Sequence, residues 1–303
     1  MRPQWSGVFP AVTTQFHEDQ SLDLEATARH LEVLIDSGVL GLVMAGSLGE
    51  NTALEPDEKR RVVDMAVKVA KGRLPVLSGV AEITTAAACR YVKDVERLGV
   101  DGFMVMPAMV YRADAREAEA HFRAVARATR LPWMLYNNPI AYHVDVTPEG
   151  FLGLSDIENL VALKESSGNP RRITDLHNTV GGRYAIFTGV DDLVLESAIL
   201  GIDGWVAGTG IAFPEENQRF WDFTRAGRWD EARNLYRWFT PLLHLDVHPK
   251  FVQYIKLAMK ECGLGAEWVR APRLPLSGKE REDVLGVIRR GIDTRPSPGG
   301  SRV

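Results

Sequence analysis

Short runs of apolar residues alternate with longer amphipathic stretches over most of the chain. The amphipathic stretches repeat apolar residues at helical spacing, as at Leu24, Ala28, Leu31 and Ile35, where Gly38 predicts the end of the helix. The short runs are typical of buried strands. We predict strands at residues 8–14, 41–45, 76–80, 102–106, 133–136, 160–164, 185–188 and 205–207.

This alternation predicts an α/β fold, the (β/α)8 or TIM barrel. Repeated strand–helix units favour a parallel sheet with right-handed crossovers and helices covering the strands. An open doubly wound sheet is the alternative. That fold would usually carry a glycine-rich dinucleotide turn after the first strand, where this chain has Pro10-Ala11-Val12-Thr13-Thr14. We therefore assign residues 1–226 to the barrel.

The strand signal stops after Pro214, and helical patterns follow. They cover residues 215–225, 229–245 with an interruption at Pro241, 249–262 and 279–291. We interpret residues 227–293 as a C-terminal helical region appended to the barrel. The tail, residues 294–303, is rich in Pro, Gly and Ser and is predicted to be disordered.

Composition and charge exclude several classes of function. The 303 residues are 45% hydrophobic and 25% charged, which is typical of a globular protein with a sizeable core. A net charge of -4 without a basic face argues against a nucleic-acid partner. Cys89 and Cys262 fall among apolar helical neighbours, which predicts buried free thiols. No signal core or membrane-length apolar run occurs, so we expect a cytoplasmic protein with no membrane partner.

Lys164 is unusual because it ends an apolar run, residues 160–164, that otherwise predicts a buried parallel strand. Burying an ammonium is costly unless it is paired or neutral, and this cost lowers the pKa of a lysine. The neutral amine is the species that attacks a carbonyl. Tyr136 ends a second apolar run and is suited to carry a proton. One interpretation is a Schiff-base lysine with a tyrosine; the other is a strand-end lysine whose amine reaches solvent.

The other predicted strand ends narrow the chemistry, since a barrel of this kind has its active site there. They contain hydroxyls and glycines but no histidine or cysteine. Metal-assisted and Ser-His-Asp chemistry are therefore disfavoured, which leaves covalent catalysis by lysine. The Ser47 hydroxyl and nearby amides could hold a carboxylate, although an ordinary strand–helix turn is an equal alternative. His143 could line the mouth of the pocket.

The remaining basic residues are expected to be structural or solvated. The histidines share no ligand-type spacing. Lysines at helical positions are expected to reach solvent, and they are Lys59, Lys68, Lys93, Lys256 and Lys260.

Four short motifs resemble those of the dihydrodipicolinate synthase / N-acetylneuraminate lyase family of Schiff-base enzymes. They occur in that family's order and spacing, and the resemblance runs from about Gly7 to the C-terminal helices. The motifs are Gly46-Ser47-Leu48-Gly49-Glu50, Tyr136-Asn137-Asn138-Pro139, Leu163-Lys164-Glu165-Ser166-Ser167-Gly168 and Gly189-Val190-Asp191-Asp192.

This resemblance implies a site, an assembly and a lack of cofactor. Lys164 is expected to form the imine, Tyr136 to act as acid and base, and Ser47 with its neighbouring amides to clamp a carboxylate. The family implies a homotetramer, a dimer of dimers, and no cofactor, since the lysine itself supplies the electron sink. Further expected residues are Leu48, Gly189, Asp191 and Thr209 for substrate binding, and Thr13, Glu50, Asn138 and His143 as supporting residues.

Two departures affect the expected substrate. Ala141 stands where the synthases of this family carry an arginine, and Ala108 and Met109 stand where they carry a tyrosine pair; Tyr111 is out of register. The chain most resembles the Δ1-pyrroline-4-hydroxy-2-carboxylate deaminases of bacterial hydroxyproline degradation. Alternatives are dihydrodipicolinate synthase, if another cation replaces the arginine, and an aldolase for a 2-keto-3-deoxy sugar acid or sialic acid. A remote alternative is a non-catalytic barrel that binds a carboxylate.

Overall fold

The computed structural model describes residues 5–297 and contains eight parallel strands that form a barrel. The strands are β1 (Gly7–Val8), β2 (Leu42–Met44), β3 (Val76–Val80), β4 (Gly102–Val105), β5 (Trp133–Asn137), β6 (Leu160–Glu165), β7 (Ala185–Thr188) and β8 (Gly204–Trp205). From β2 to β8, strands that are consecutive in the chain are neighbours in the sheet, and β8 pairs with β1. A parallel bridge between Ala11 and Val43 joins the chain after β1 to β2. The barrel is thereby closed, and the predicted fold class is confirmed.

Helices follow the strands and continue into the C-terminal region. They are α1 (Leu24–Asp36), α2 (Pro56–Ala70), α3 (Thr85–Glu96), α4 (Ala115–Ala128), α5 (Pro139–Tyr142), α6 (Pro148–Gly153), α7 (Arg171–Val180), α8 (Val194–Ile199), α9 (Pro214–Arg225), α10 (Trp229–Leu243), α11 (Phe251–Glu261) and α12 (Gly278–Asp293). Local sequence explains their starts. Glu55 and Glu58 form a capping box around the N1 proline of α2, and the Asp114 side chain caps α4.

Several predicted elements differ from the structure by a few residues at their ends, and in two of them a proline is involved. The first strand ends at Val8 because Pro10 has no N–H to donate, although the Ala11 amide resumes the pairing with Ala207. Helix α10 is not interrupted at Pro241 but runs to Leu243. A proline this close to the end of a helix removes only one hydrogen bond of the last turn. Residues 298–303 of the predicted tail lie outside the described residues.

The C-terminal helices cover part of the barrel face at which the strands end. The Thr13 hydroxyl, after β1, donates to Met259 Sδ at 3.2 Å. Glu50, after β2, forms an ion pair with Lys256 on α11. Both partners lie in α11, so this helix stacks on the carboxyl ends of β1 and β2. The division of the chain at residue 226 stays a prediction.

Two lysines that were expected to be solvated are buried, so that expectation was wrong for them. Lys59 Nζ lies 2.7 Å from Glu82 Oε1, and Lys256 Nζ lies 2.6 Å from Glu50 Oε1. Lys256 and Glu50 are both 0% exposed. A buried charge requires a partner, and here the partner comes from another part of the chain. Helical spacing cannot reveal such a partner.

The two cysteines agree with the prediction only in part. Cys89 and Cys262 are free, as predicted, but only half-buried. Within residues 5–297, no helix is both long and apolar enough to cross a membrane.

Candidate active site

Lys164 and Tyr136 lie side by side at the carboxyl ends of two neighbouring strands. The register of β5 and β6 pairs Tyr136 directly with Lys164, so both side chains leave the same face of the sheet. Lys164 Nζ lies 3.9 Å from the centroid of the Tyr136 ring. The two residues are 6% and 5% exposed. The alternative in which the amine reaches solvent is therefore wrong.

Burial of Lys164 controls the chemistry of its amine. Loss of water lowers the pKa of Lys164 from 10.5 to about 8, while the negative charges of Asp246 and Asp191 oppose this shift. An ordinary lysine at pH 7 has roughly one neutral amine in 3,000, whereas a pKa near 8 gives about one in ten. The lowered pKa therefore supplies a nucleophile at neutral pH.

A glycine beside the lysine makes room for its side chain. A Cβ atom at Gly189 would lie 2.1 Å from Lys164 Cε and 2.3 Å from Ser166 Oγ. Only glycine allows this approach without displacing the lysine. Gly189 was predicted to bind substrate, and its observed contact is with the lysine itself. Ser166 Oγ is buried and interacts with the Tyr136 phenol, whose pKa this contact lowers slightly against the larger effect of burial.

Tyr136 is held by the segment that follows its strand. The Asn138 side chain donates a hydrogen bond to the Tyr136 hydroxyl at 3.0 Å and accepts one from the Ala141 amide at 2.9 Å. Asn138 thus caps α5 and orients the phenol at once. Burial raises the pKa of Tyr136 to about 12, so the phenol keeps its proton in neutral solution. His143, predicted to line the pocket mouth, ends this turn and is exposed.

The turn after β2 brings Ser47 close to this pair. Asn51 Nδ2 donates to the Ala45 carbonyl at 2.7 Å and closes the turn, in which Leu48 is buried and Ser47 half-buried. The Ser47 hydroxyl forms a hydrogen bond with the hydroxyl of Tyr142. The Tyr142 ring meets the Tyr136 ring edge-on, with centroids 5.6 Å apart. Tyr142 therefore connects Ser47 to Tyr136, the phenol beside Lys164.

Two carboxyl groups lie on the other side of the site. Asp191 is fully buried and accepts hydrogen bonds from Trp205 Nε1 and from the amides of Gly208 and Thr209. A Cβ atom at Gly208 would lie 2.1 Å from Asp246 Oδ1 and 3.4 Å from Asp191 Oδ2. Burial raises the pKa of both carboxyl groups. They therefore hold protons more tightly than ordinary aspartates.

The structure also locates the remaining predicted residues. Thr209 Oγ1 is buried without a hydrogen-bond partner among the described residues, and its amide donates to Asp191 at 2.7 Å. The Thr13 hydroxyl donates to Met259 and accepts from Gln15, so it faces the C-terminal helices. Glu50 likewise pairs with Lys256 rather than projecting into the pocket. These two residues support the architecture around the site.

Sequence reasoning missed three residues near the site, namely Ser166, Tyr142 and Asp246. Ser166 lies inside a recognised motif and could have been included from its position. Tyr142 and Asp246 had no comparable signal. Asp246 belongs to the C-terminal region, 55 positions beyond Asp191 in sequence, so only the folded chain brings it to the barrel. Within residues 5–297, no three His, Cys, Asp or Glu side chains are grouped to hold a metal ion.

A buried amine beside a phenol at the end of a barrel strand defines the class of protein, a class I Schiff-base-forming lyase. The sequence profile of the dihydrodipicolinate synthetase family matches residues 4–290. The chain belongs to this family.

Named relatives and solved structures agree with this membership. The 4-hydroxy-tetrahydrodipicolinate synthase 1 of Halalkalibacterium halodurans is 31% identical over 277 residues, 91% of this chain and 94% of its own. The Archaeoglobus fulgidus enzyme of the same name, without the number, is 31% identical over 94% of this chain and 98% of its own. The crystal structure of a Bacillus anthracis dihydrodipicolinate synthase has a TM-score of 0.92 at 27% identity and covers 98% of this chain and 100% of its own.

Proposed function

We propose that the chain is a Δ1-pyrroline-4-hydroxy-2-carboxylate deaminase, which yields 2-oxoglutarate semialdehyde and ammonia. The observation that carries the proposal is the buried Lys164 amine, 3.9 Å from the Tyr136 ring, with Ala141 two positions after the proline of the Tyr136 motif. The cyclic substrate has one carboxylate, so it does not need the arginine that Ala141 replaces. The resemblance of the chain to such deaminases supports this choice of substrate within the family.

The reaction begins on the lysine. Neutral Lys164 attacks C2 of the cyclic imine, and the C2–N bond to the ring nitrogen breaks, leaving a lysine imine and a free amine on C5. The protonated imine withdraws electrons, and its positive charge lowers the cost of ionising the Tyr136 phenol. Tyr136 then removes a proton from C3. Acid/base catalysis by a positioned group contributes about 10²–10⁴-fold.

The later steps release water, ammonia and the product. The 4-hydroxyl leaves as water from the enamine, which gives a C3=C4 double bond conjugated with the lysine imine. A proton then moves from C5 to C3, and the resulting C5 enamine tautomerises to an imine. Hydrolysis of that imine releases ammonia, and hydrolysis of the Lys164 imine releases the product. One water is therefore formed and two are consumed.

Substrate binding is assigned to polar groups around the lysine. Ser47 and the Leu48 amide suit the carboxylate, since amides and hydroxyls in a strand–helix turn donate hydrogen bonds to anions. The buried hydroxyls of Ser166 and Thr209 suit the remaining polar atoms. We infer that Asp191 acts indirectly, because its carboxylate is engaged by the Thr209 amide and two other donors.

The second candidate is 4-hydroxy-tetrahydrodipicolinate synthase, the activity by which the named relatives are known. A related enzyme from Acinetobacter baumannii, 25% identical with a TM-score of 0.89 over 94% of this chain and 98% of its own, was crystallised with pyruvate. Arg273 would be the replacement cation. Its Nη1 lies 3.7 Å from Glu50 Oε2, so the carboxylate partly offsets its charge.

A two-stage experiment tests the proposal. Incubation with pyruvate and borohydride should give a protein mass adduct on Lys164, and its absence would end the Schiff-base assignment. The cyclic imine, several 2-oxo acids and pyruvate with a carboxylate-bearing aldehyde are then compared as substrates. Ammonia release from the cyclic imine supports the deaminase. Consumption of pyruvate only with the aldehyde refutes it in favour of the synthase.

We also propose a homotetramer, a dimer of dimers. Large apolar side chains are exposed in the segments that follow the neighbouring strands β3, β4 and β5; Ile83, Val110, Tyr111 and Ile140 are 68%, 90%, 61% and 69% exposed. Four large apolar side chains exposed after three neighbouring strands suit contact with a second copy. Light scattering coupled to size-exclusion chromatography should give four chains, and a monomeric mass would contradict the proposal.

A further inference from the structure

The Tyr142 side chain connects two groups of the site. Its hydroxyl forms a hydrogen bond with Ser47 Oγ, and its ring meets the Tyr136 ring at an interplanar angle of 85°. Tyr142 ends the short helix α5, which Asn138 caps while also donating to the Tyr136 hydroxyl. One turn of chain therefore fixes both phenols relative to Ser47.

Proton direction in this hydrogen bond decides what Ser47 can do. A serine hydroxyl has one proton and two acceptor lone pairs. Burial raises the pKa of the Tyr142 phenol far above its ordinary value, so the phenol retains its proton in neutral solution. A phenol is more acidic than an alkyl alcohol and is therefore the stronger donor of the two. When Tyr142 donates to Ser47, the serine proton is left for a third group.

We propose that Tyr142 is a positioning residue that donates to Ser47 Oγ and directs the serine proton toward the carboxylate of the bound substrate. This inference rests on the proposed role of Ser47 in carboxylate binding. Tyr142 and Ser47 belong to the same chain, so this phenol–hydroxyl pair is complete without a side chain from a second copy. The pair also compensates for Ala108 and Met109, which carry no hydroxyl after β4.

The variant Tyr142→Phe isolates the hydroxyl, because phenylalanine keeps the ring that packs on Tyr136. The probe is pyruvate, and the readout is the concentration that gives half-maximal borohydride adduct on Lys164. One lost hydrogen bond should raise this concentration about three- to tenfold. The adduct yield at saturating pyruvate should stay unchanged, because Tyr142 does not touch the amine. This split separates positioning of Ser47 from damage to the lysine.

A double-mutant cycle with Ser47→Ala makes the test specific. In the Ser47→Ala background, Tyr142→Phe should have no further effect on the half-saturating pyruvate concentration, since its partner is gone. An undiminished effect in that background would overturn the inference, as would a wild-type value for Tyr142→Phe alone. A matched control is Tyr254→Phe, which removes a phenol that donates to Glu280 at 2.9 Å within the C-terminal region. It should leave pyruvate binding unchanged.

Two further outcomes distinguish this inference from the proposed function. If Tyr111→Phe raises the half-saturating concentration and Tyr142→Phe does not, the phenol comes from the exposed loop of another copy and the inference is wrong. The wild-type adduct on Lys164 would remain in that case, so the Schiff-base assignment would stand. If the wild-type protein gives no adduct, both fail together.

Discussion

Replacing Lys256 with methionine tests how the C-terminal helices hold the turn that carries Ser47. Lys256 Nζ lies 2.6 Å from Glu50 Oε1 and 2.8 Å from the Trp268 carbonyl oxygen. Methionine keeps most of the apolar length of the side chain but removes its charge. Of its partners within residues 5–297, the Glu50 carboxylate, 0% exposed, then keeps the Arg270 amide at 3.0 Å and Arg273 at 3.7 Å.

The structure sets the size of the expected effect. Removing one partner of a buried ion pair costs about 3–5 kcal/mol, because an uncompensated charge stays in the interior. The two remaining contacts of Glu50 place the loss near the lower limit, at about 3 kcal/mol. Adding Glu50→Gln removes the orphaned charge, so the double variant should be more stable than Lys256→Met alone.

Urea unfolding followed by tryptophan fluorescence measures this loss, since the chain has 7 tryptophans. With a slope of about 3 kcal/mol/M, a loss of this size lowers the midpoint by about 1 M. Lys68→Met is the matched control, because the Lys68 side chain is 72% exposed in its pair with Asp64 and its removal should leave the midpoint unchanged. Equal midpoints for the two single variants would refute the reasoning.

Three further predictions concern the lysine and its neighbours. Because the Lys164 pKa is lowered to about 8, the rate of imine formation with pyruvate should rise about tenfold per pH unit below pH 8 and level off above it; a rise that continues to pH 10 would contradict the assignment. Gly189→Ala should reduce adduct formation at least about 100-fold while circular dichroism stays native, because its Cβ would lie 2.1 Å from Lys164 Cε. Tyr136→Phe should still form the pyruvate adduct but should lower ammonia release from the cyclic imine by about 10²–10⁴-fold; unchanged release would remove Tyr136 from the mechanism.

Sequence patterns predict the barrel and the central pair because that information is local. Each strand is a short apolar run, and a lysine at the end of such a run stands out without any knowledge of its neighbours. The register that pairs Tyr136 with Lys164 follows once β5 and β6 are adjacent. Alternation of strands and helices makes that adjacency the default.

Contacts across long sequence separations could not be predicted in the same way. Lys256 lies 206 positions from Glu50, and Tyr142 lies 95 positions from Ser47. In sequence, Lys256 and the solvated Lys68 both lie between apolar residues of a helical pattern, so the pattern predicts the same exposure for both. Only packing of α11 on the strand ends distinguishes a buried lysine from an exposed one.

The position of Asp246 connects the C-terminal helical region to the chemistry of the amine. Burial alone would lower the pKa of Lys164 further, and the charges of Asp246 and Asp191 oppose that shift. A fully charged amine could not attack, whereas nearby negative charge also favours the protonated imine that the amine becomes. The balance near pH 8 depends on a carboxyl group that the barrel itself does not contain. The helical region therefore helps to set the reactivity of the lysine as well as to stabilise the fold.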